Sequence, residues 1–196
     1  MRMIIAGLLG VLMATPGGAG AQGQTHKGYE SPPFQVDLAE GPAELRSCGA
    51  HLVAEVTVAG SREDSIGEGF RVLAGYIFGG NATGQKIAMT VPVAQSQQGE
   101  RRWTVRLMIP QAFSSATVPA PKDGSIRFVT VPPERQAALG FSGRRGDQEL
   151  AVRAQELRLW VTAKGLTITA GPDYYFYDGP MTLPCMRRNE VAFTVM

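Results

Sequence analysis

The chain is poor in the side chains that carry most metal and acyl-transfer chemistry. Its 196 residues include two histidines, His26 and His51, and two cysteines, Cys48 and Cys185. Metal sites need His, Cys or carboxylates clustered at ligand spacing, and no such cluster is written here. Cys48 and His51 stand three apart, which on one strand points them to opposite faces and argues against a Cys–His nucleophile pair. There is no Gly-x-Ser-x-Gly elbow. Charge of one sign is also missing: the net charge is +2, and basic residues run no longer than the pairs Arg101-Arg102, Arg144-Arg145 and Arg187-Arg188. Nucleic-acid binding needs a concentrated positive face, so no nucleic-acid partner is expected. Beyond the first residues no apolar run is long enough for a stable membrane span.

The beginning of the chain reads as a targeting segment. Met1-Arg2-Met3 is a short positive region, Ile4 to Ala14 an apolar stretch, and Ala19-Gly20-Ala21 a small-x-small cleavage pattern. Residues 1–21 are therefore expected to be a cleaved signal peptide, residues 22–196 a single domain, and the destination the periplasm or the exterior. An even cysteine count in an oxidising compartment implies one disulfide.

Periodicity supplies the elements. Phe34–Leu38 and His51–Val58 read as strands. Ser61 caps a helix with Asp64 at the capping-box position, and Ile66, Phe70, Leu73 and Ile77 form its apolar stripe. Lys86–Val93 and Trp103–Ile109 read as the next strands. The order then repeats: strands Ile126–Val131 and Arg135–Phe141, a helix from Asp147 with the stripe Leu150, Ala154, Leu157 and Val161, a stop at Gly165, and strands Tyr174–Tyr177 and Asn189–Val195. The fold class is α+β: two pseudo-symmetric ββαββ repeats, about 29–110 and 125–196, forming a curved antiparallel sheet or distorted barrel with two main helices. A pocket is expected between the helices and the concave face of the sheet. Gly79–Lys86 (GGNATGQK) is not a phosphate loop, because Gln85 separates the last glycine from Lys86 and the order is helix then strand.

Gly75–Val93, GYIFGGNATGQKIAMTVPV, joins an aromatic helix end to a GGN turn and an apolar stretch, and Arg187–Val191 reads RRNEV. Together they resemble the SOUL / heme-binding protein family over about Tyr29 to Val195. The repeat is also similar to that of bacterial effector-binding domains that hold small apolar cations or drugs. The SOUL resemblance implies a non-covalent binder of heme, another tetrapyrrole or a similar apolar ligand. It places the groove on the first helix, at Phe70 and Ala74; the helix stripe, the adaptable methionines and the aromatic strand add Ile66, Leu73, Ile77, Met89, Tyr177 and Met181 as candidate lining. Where some members carry a histidine proposed as iron ligand, this chain has Ser47. Where animal members place propionate-binding cations, it has Gly67, Gly75 and Thr182. Strong axial ligation is therefore not expected, and Arg71 or Arg187 would have to meet the propionates. Cys48 and Cys185 stand at two positions where the family usually has aromatics, which implies that they are neighbours and bridged. Two further functions compete: a protein-interaction or structural module with a filled core, and a hydrolase-like enzyme using buried Glu190 with a nearby tyrosine.

Overall fold

The computed structural model describes residues 24–196; the expected signal peptide lies outside the described residues. A hairpin of β1 (Gln24–His26) and β2 (Tyr29–Ser31) precedes one large antiparallel sheet. The sheet contains β3 (Phe34–Glu40), β4 (Ala43–Cys48), β5 (His51–Ala59), β6 (Val93–Gln97), β7 (Arg102–Met108), β8 (Arg127–Val131), β9 (Glu134–Phe141), β10 (Ile168–Phe176) and β11 (Asn189–Val195). Helix α1 (Arg62–Ile77) follows β5, and α2 (Asp147–Ala163) follows β9. The strand order is β3-β4-β9-β11-β10-β6-β7-β5-β8.

The order shows the repeat. Matching β4, β5, α1, β6 and β7 with β8, β9, α2, β10 and β11 carries each pairing onto its counterpart. The pair β5–β7 maps to β9–β11, β6–β7 to β10–β11, and β5–β8 to β9–β4, while the central β6–β10 pair maps to itself. The first strand of the first repeat is thus β4, which periodicity alone did not reveal. β3 is an added edge strand.

Both helices pack on one face. α2 buries Leu150, Ala154, Leu157 and Val161, the stripe read from the sequence, against Leu45, Ala137, Leu139, Val191 and Phe193. Its terminus is set by Gly165 at φ +70°, a conformation that glycine adopts without penalty. α1 starts where the Ser61 side chain accepts from the Asp64 backbone N–H. It is rotated relative to the expected stripe: Arg62, Ser65, Gly69, Leu73, Tyr76 and Ile77 are buried, Ile66 is half-buried against the α2 core, and Phe70 is on the outside. Gly69 explains the rotation. A Cβ there would stand 2.6 Å from Val105 Cγ2 and 3.3 Å from Val56 Cγ1, so the helix comes closest to the sheet on its glycine edge.

Lys86–Val93 is not a ladder strand; β6 begins only at Val93. The segment is instead tied by single bonds: Ile87 N to Ile77 O, Val91 N to Glu30 O, and Thr90 Oγ1 to Met108 O. The GGN turn before it is held by Asn81. Its Nδ2 donates to the Tyr76 and Gln85 carbonyls, and its Oδ1 accepts from Gln85 N and Thr83 Oγ1.

The expected disulfide does not form: Cys48 and Cys185 are both free. Cys48 pairs with Glu134 at the start of β9, whereas Pro184 bonds Gly143 just past its end. The length of a strand of eight residues, roughly 25 Å, separates them, and a bridge needs Cα atoms within about 7 Å.

Candidate functional site

Because side chains alternate along a strand, burying one face under the helices dedicates every second residue to the other. On β5, Ala54, Val56 and Val58 meet the α1 core, which turns His51 and Val53 the other way. On β9, Ala137 and Leu139 meet α2, leaving Glu134 and Gln136 opposite. On β10, Tyr174 and Phe176 pack toward α2, leaving Asp173 and Tyr175 opposite, while Tyr177, just past its end, lines that same side. These opposite-facing residues line one cleft. β4 and β8 lie seven places apart in the strand order, yet Arg46 and Val131 both border it. At about 4.8 Å per strand, a flat sheet would hold them roughly 30 Å apart, so the sheet curls around the cleft. The expected pocket between helices and sheet is corrected accordingly. That space is filled by the two cores, and the cleft opens on the face away from the helices.

The cleft has two compartments. The narrower, about 90 Å³, lies under Pro32–Phe34 and is walled by Val53, Pro92, Met108 and Tyr175. The wider, about 570 Å³, runs toward the β6–β7 and β8–β9 turns. Ser96, Arg106, Val131, Glu134 and Asp173 border both.

At the inner end lies a buried ion network. Arg46 Nη1 and Nη2 donate to the two carboxylate oxygens of Glu190 at 2.8 and 3.1 Å, with Arg46 4% and Glu190 1% exposed. Arg188 Nη2 adds a bond to Glu190 at 2.7 Å, Tyr177 donates its hydroxyl at 3.0 Å, and Arg46 Nε reaches Glu44 at 2.7 Å. Burial alone would raise the Glu190 pKa, but Arg46 and then Arg188 hold it below the usual carboxylate range. Burial, with the Glu190 charge beside it, pushes the Tyr177 phenol well up. The Glu/Tyr pair of the enzyme reading therefore exists, with the wrong polarity for an acid: the carboxylate has no proton to give.

The middle of the cleft is different. Glu134 accepts from Gln136 Nε2 at 2.6 Å and Thr194 Oγ1 at 3.2 Å, and the same Gln136 nitrogen donates to the Tyr175 hydroxyl at 3.0 Å. Burial raises the pKa of Asp173 and pushes that of Tyr175 well above the ordinary tyrosine range. Among the described residues neither Glu134 nor Asp173 has a salt-bridge partner, while Arg106 is held by Glu55 at 2.8 Å. His51 sits at the rim, Nδ1 3.0 Å from the Gly49 carbonyl. A carbonyl only accepts, so Nδ1 carries the proton and Nε2 keeps its lone pair. Burial lowers the His51 pKa, and burial with the Glu134 charge pushes the Cys48 thiol up to about 12. Cys48 is thus an inert thiol. The turn between β4 and β5 brings Cys48 and His51 into the same cleft, which the single-strand argument did not foresee.

Of the sequence-predicted lining, Leu73 and Ile77 are in the α1 core with Met89 packed against it. Ile66 joins the other core, Ala74 is half-buried, and Phe70 faces outward. Tyr177 lines the cleft, and Met181 is 94% exposed on a surface loop. Arg46, Glu134, Gln136 and Asp173 line the cleft but stand outside the sequence-predicted set, because polar side chains at every second strand position read as a solvent face; Tyr175, of the alternating aromatic strand, lies on the same side as Tyr177. His26, expected in a loose N-terminus, instead packs edge-on to Tyr177 at 5.3 Å between centroids, its Nε2 3.9 Å from Asp178.

The fold recurs in solved structures. The C-terminal domain of EcmrR superposes with a TM-score of 0.62 at 14% identity, covering 83% of this chain and 98% of that domain. A structure described as a hydrolase from Listeria innocua gives 0.57 at 11% identity, covering 82% and 94%. EcmrR in a DNA complex gives 0.60 at 15% identity, covering 78% of this chain and 56% of that one. Identities this low show a shared fold and nothing finer. No curated protein sequence matches the chain. The family model described as SOUL heme-binding protein matches residues 29–194. With that match spanning almost every described element, the chain belongs to the SOUL heme-binding protein family.

Proposed function

We propose that the protein binds a small apolar organic ligand without forming a bond to it, and that the ligand lies in the cleft inside the curled sheet. The observation that carries this reading is the cleft itself: a compartment of about 570 Å³, in the size range of ligand sites and lined largely by polar groups with Val129, Val131 and the prolines, joined to a narrower one of about 90 Å³ whose walls are apolar and aromatic. The family points to tetrapyrroles, and the residues fit heme in part. Val53, Pro92, Met108 and Tyr175 of the narrower compartment offer apolar contact to one edge of a flat macrocycle, and His51 Nε2 is the free nitrogen closest in kind to an iron ligand. The propionates fit poorly. Arg46 is committed to Glu190 and Glu44, Arg106 to Glu55, and Glu134 and Asp173 would repel them. A tetrapyrrole would enter with its carboxylates outward and gain affinity from burial of the ring, at roughly 25 cal/mol per Å² before association costs. Strong axial ligation is not part of this reading.

Titration with hemin and with metal-free porphyrin, followed by Soret absorbance and tryptophan quenching, tests it. The two are expected to bind within about tenfold of each other, and His51→Ala to change hemin affinity little. Val131→Asp, which puts a charge on both compartments, is expected to weaken binding by tenfold or more. Phe70→Asp, on the outer side of α1, is expected to leave it unchanged. The reverse result would put the ligand on α1. Saturable binding of neither compound would remove the carrier reading. The ligand is met outside the cytoplasm if residues 1–21 are a leader, which N-terminal sequencing of protein recovered from the periplasm would establish.

A further inference from the structure

Just past β10, the chain makes a loop from Gly179 to Met186 that exposes three large apolar side chains: Met181 at 94%, Leu183 at 63% and Met186 at 65%. Isolated exposed apolar residues are ordinary; three within six positions are not. The loop is also stiff. Thr182 N bonds Gly179 O, Met186 N bonds Leu183 O, and Gly143 N bonds Pro184 O. The Arg187 guanidinium folds back, donating to Thr182 O at 2.8 Å and Pro180 O at 2.7 Å. The three side chains are therefore presented in a set arrangement, with little ordering left to do on contact.

Charge surrounds them. The Gly143–Pro184 bond holds the β9–α2 connector against the loop and brings Arg144 and Arg145 alongside Arg187. Among the described residues none of these three arginines has a salt-bridge partner. Burial, then the neighbouring Arg187 and Arg62, lowers the Arg145 pKa, as a local surplus of positive charge does. Of the nearby carboxylates, Asp178 is engaged with Lys27 and Asp147 with Arg62, and exposed Glu63 offsets part of the charge at Arg145 without pairing with it.

We infer that the Gly179–Met186 loop is a membrane-docking device, inserting Met181, Leu183 and Met186 among the acyl chains of an anionic bilayer while Arg144, Arg145 and Arg187 meet lipid phosphates. Protruding aliphatic side chains ringed by cations match an interface that is apolar below and negative above. They match a protein partner less well. A stable protein interface buries about 800 Å² per side, more than eight residues of one loop present, and it is usually depleted in charge at its centre. A fluid bilayer demands no shape match. Docking of this kind needs no spanning helix, and it is independent of what fills the cleft.

The full chain supplies its own probe. Cys185 is exposed in the loop, while Cys48 has its thiol pushed up to about 12, so an environment-sensitive fluorophore attaches at Cys185 alone near pH 7. With vesicles of phosphatidylcholine carrying about one-third phosphatidylserine, the emission should shift to the blue and the protein should sediment with the vesicles. Pure phosphatidylcholine should hold it several-fold less, and 0.5 M salt should release most of it. The combined variant Met181→Ser, Leu183→Ser and Met186→Ser should lower partitioning by about tenfold or more. Arg144→Glu, at an exposed position, should lower it several-fold without touching the loop. Leu159→Ser, equally exposed on α2 at 63%, should change nothing. No sedimentation with anionic vesicles at low salt overturns the inference, as does equal sedimentation of the triple variant. A loop-dependent dimer in light scattering without vesicle binding also overturns it and assigns the loop to protein contact.

Discussion

Glu190 and Arg46 are nearly without solvent, and their pairing makes a sharp stability prediction. Glu190→Leu leaves the Arg46 guanidinium, 4% exposed, with only Glu44 as counter-charge. Breaking a buried pair from one side costs about 3–5 kcal/mol, mostly the penalty of the stranded charge. Because Glu44 remains at 2.7 Å, the lower end, about 3 kcal/mol, is expected. Arg46→Met strands Glu190 less completely, since Arg188 stays at 2.7 Å, and about 2 kcal/mol is expected. The double variant removes both charges. Arg188 can turn to water, its side chain being 40% exposed, and the Tyr177 hydroxyl loses an acceptor at about 1 kcal/mol. The double variant should therefore lie about 1 kcal/mol below the parent, far from the sum of the single losses. Urea unfolding reads this directly: with a slope near 2 kcal/mol per molar, Glu190→Leu lowers the midpoint by about 1.5 M. Acid supplies a second reading. The Glu190 pKa is lowered in the folded state, so its contribution is complete above the ordinary value of 4.5 and is lost as pH falls through the folded value. Glu190→Leu should flatten that part of the acid limb. Additive losses in the double variant, or an unchanged acid limb, would refute the argument.

Other outcomes follow from packing and thiol chemistry. Gly69→Ala gains helix propensity but drives a methyl to 2.6 Å from Val105 Cγ2; overpacking dominates, and thermal unfolding should show a net loss of about 1–2 kcal/mol. Unreduced protein should contain two free thiols. Iodoacetamide near pH 7 should modify Cys185 readily and Cys48 only after denaturation, as read by mass spectrometry. A single bridged species would refute the separation of the two cysteines along β9.

The helices were legible because their apolar period answers to one packing face, and α2 matched residue for residue. α1 was misread by about one position because apolar size drew attention to Phe70, whereas the contact is governed by what Gly69 lacks. β4, AELRSC, went unseen because Glu44 and Arg46 alternate with Leu45 as on a surface strand. Both point away from the helices, where Glu44 is answered by Arg46 and Arg46 also by Glu190, 144 positions away. The cleft was hidden for the same reason. Hydrophobic patterning identifies the face that seeks the core, and a cleft face built of Glu134, Gln136 and Asp173 carries the pattern of one meant for water. The mistaken disulfide came from treating two unusual positions as neighbours when a whole strand separates them.

The exchange of first strands between the repeats constrains how the molecule comes to be folded. β4 belongs to the first repeat by sequence but hydrogen-bonds β9 of the second, and β8 of the second bonds β5 of the first. Neither repeat is a closed body; each leaves an open edge that only the other can cover. Synthesis from the N-terminus would leave β4 waiting about ninety residues for its partner, and such long-range pairing makes for slow assembly. A cut between β7 and β8 should yield two pieces that are each unstable and aggregation-prone, yet able to complete one another when mixed. Two copies of the chain could make the same exchange between molecules, so a domain-swapped dimer is the misfolded form this topology most readily permits.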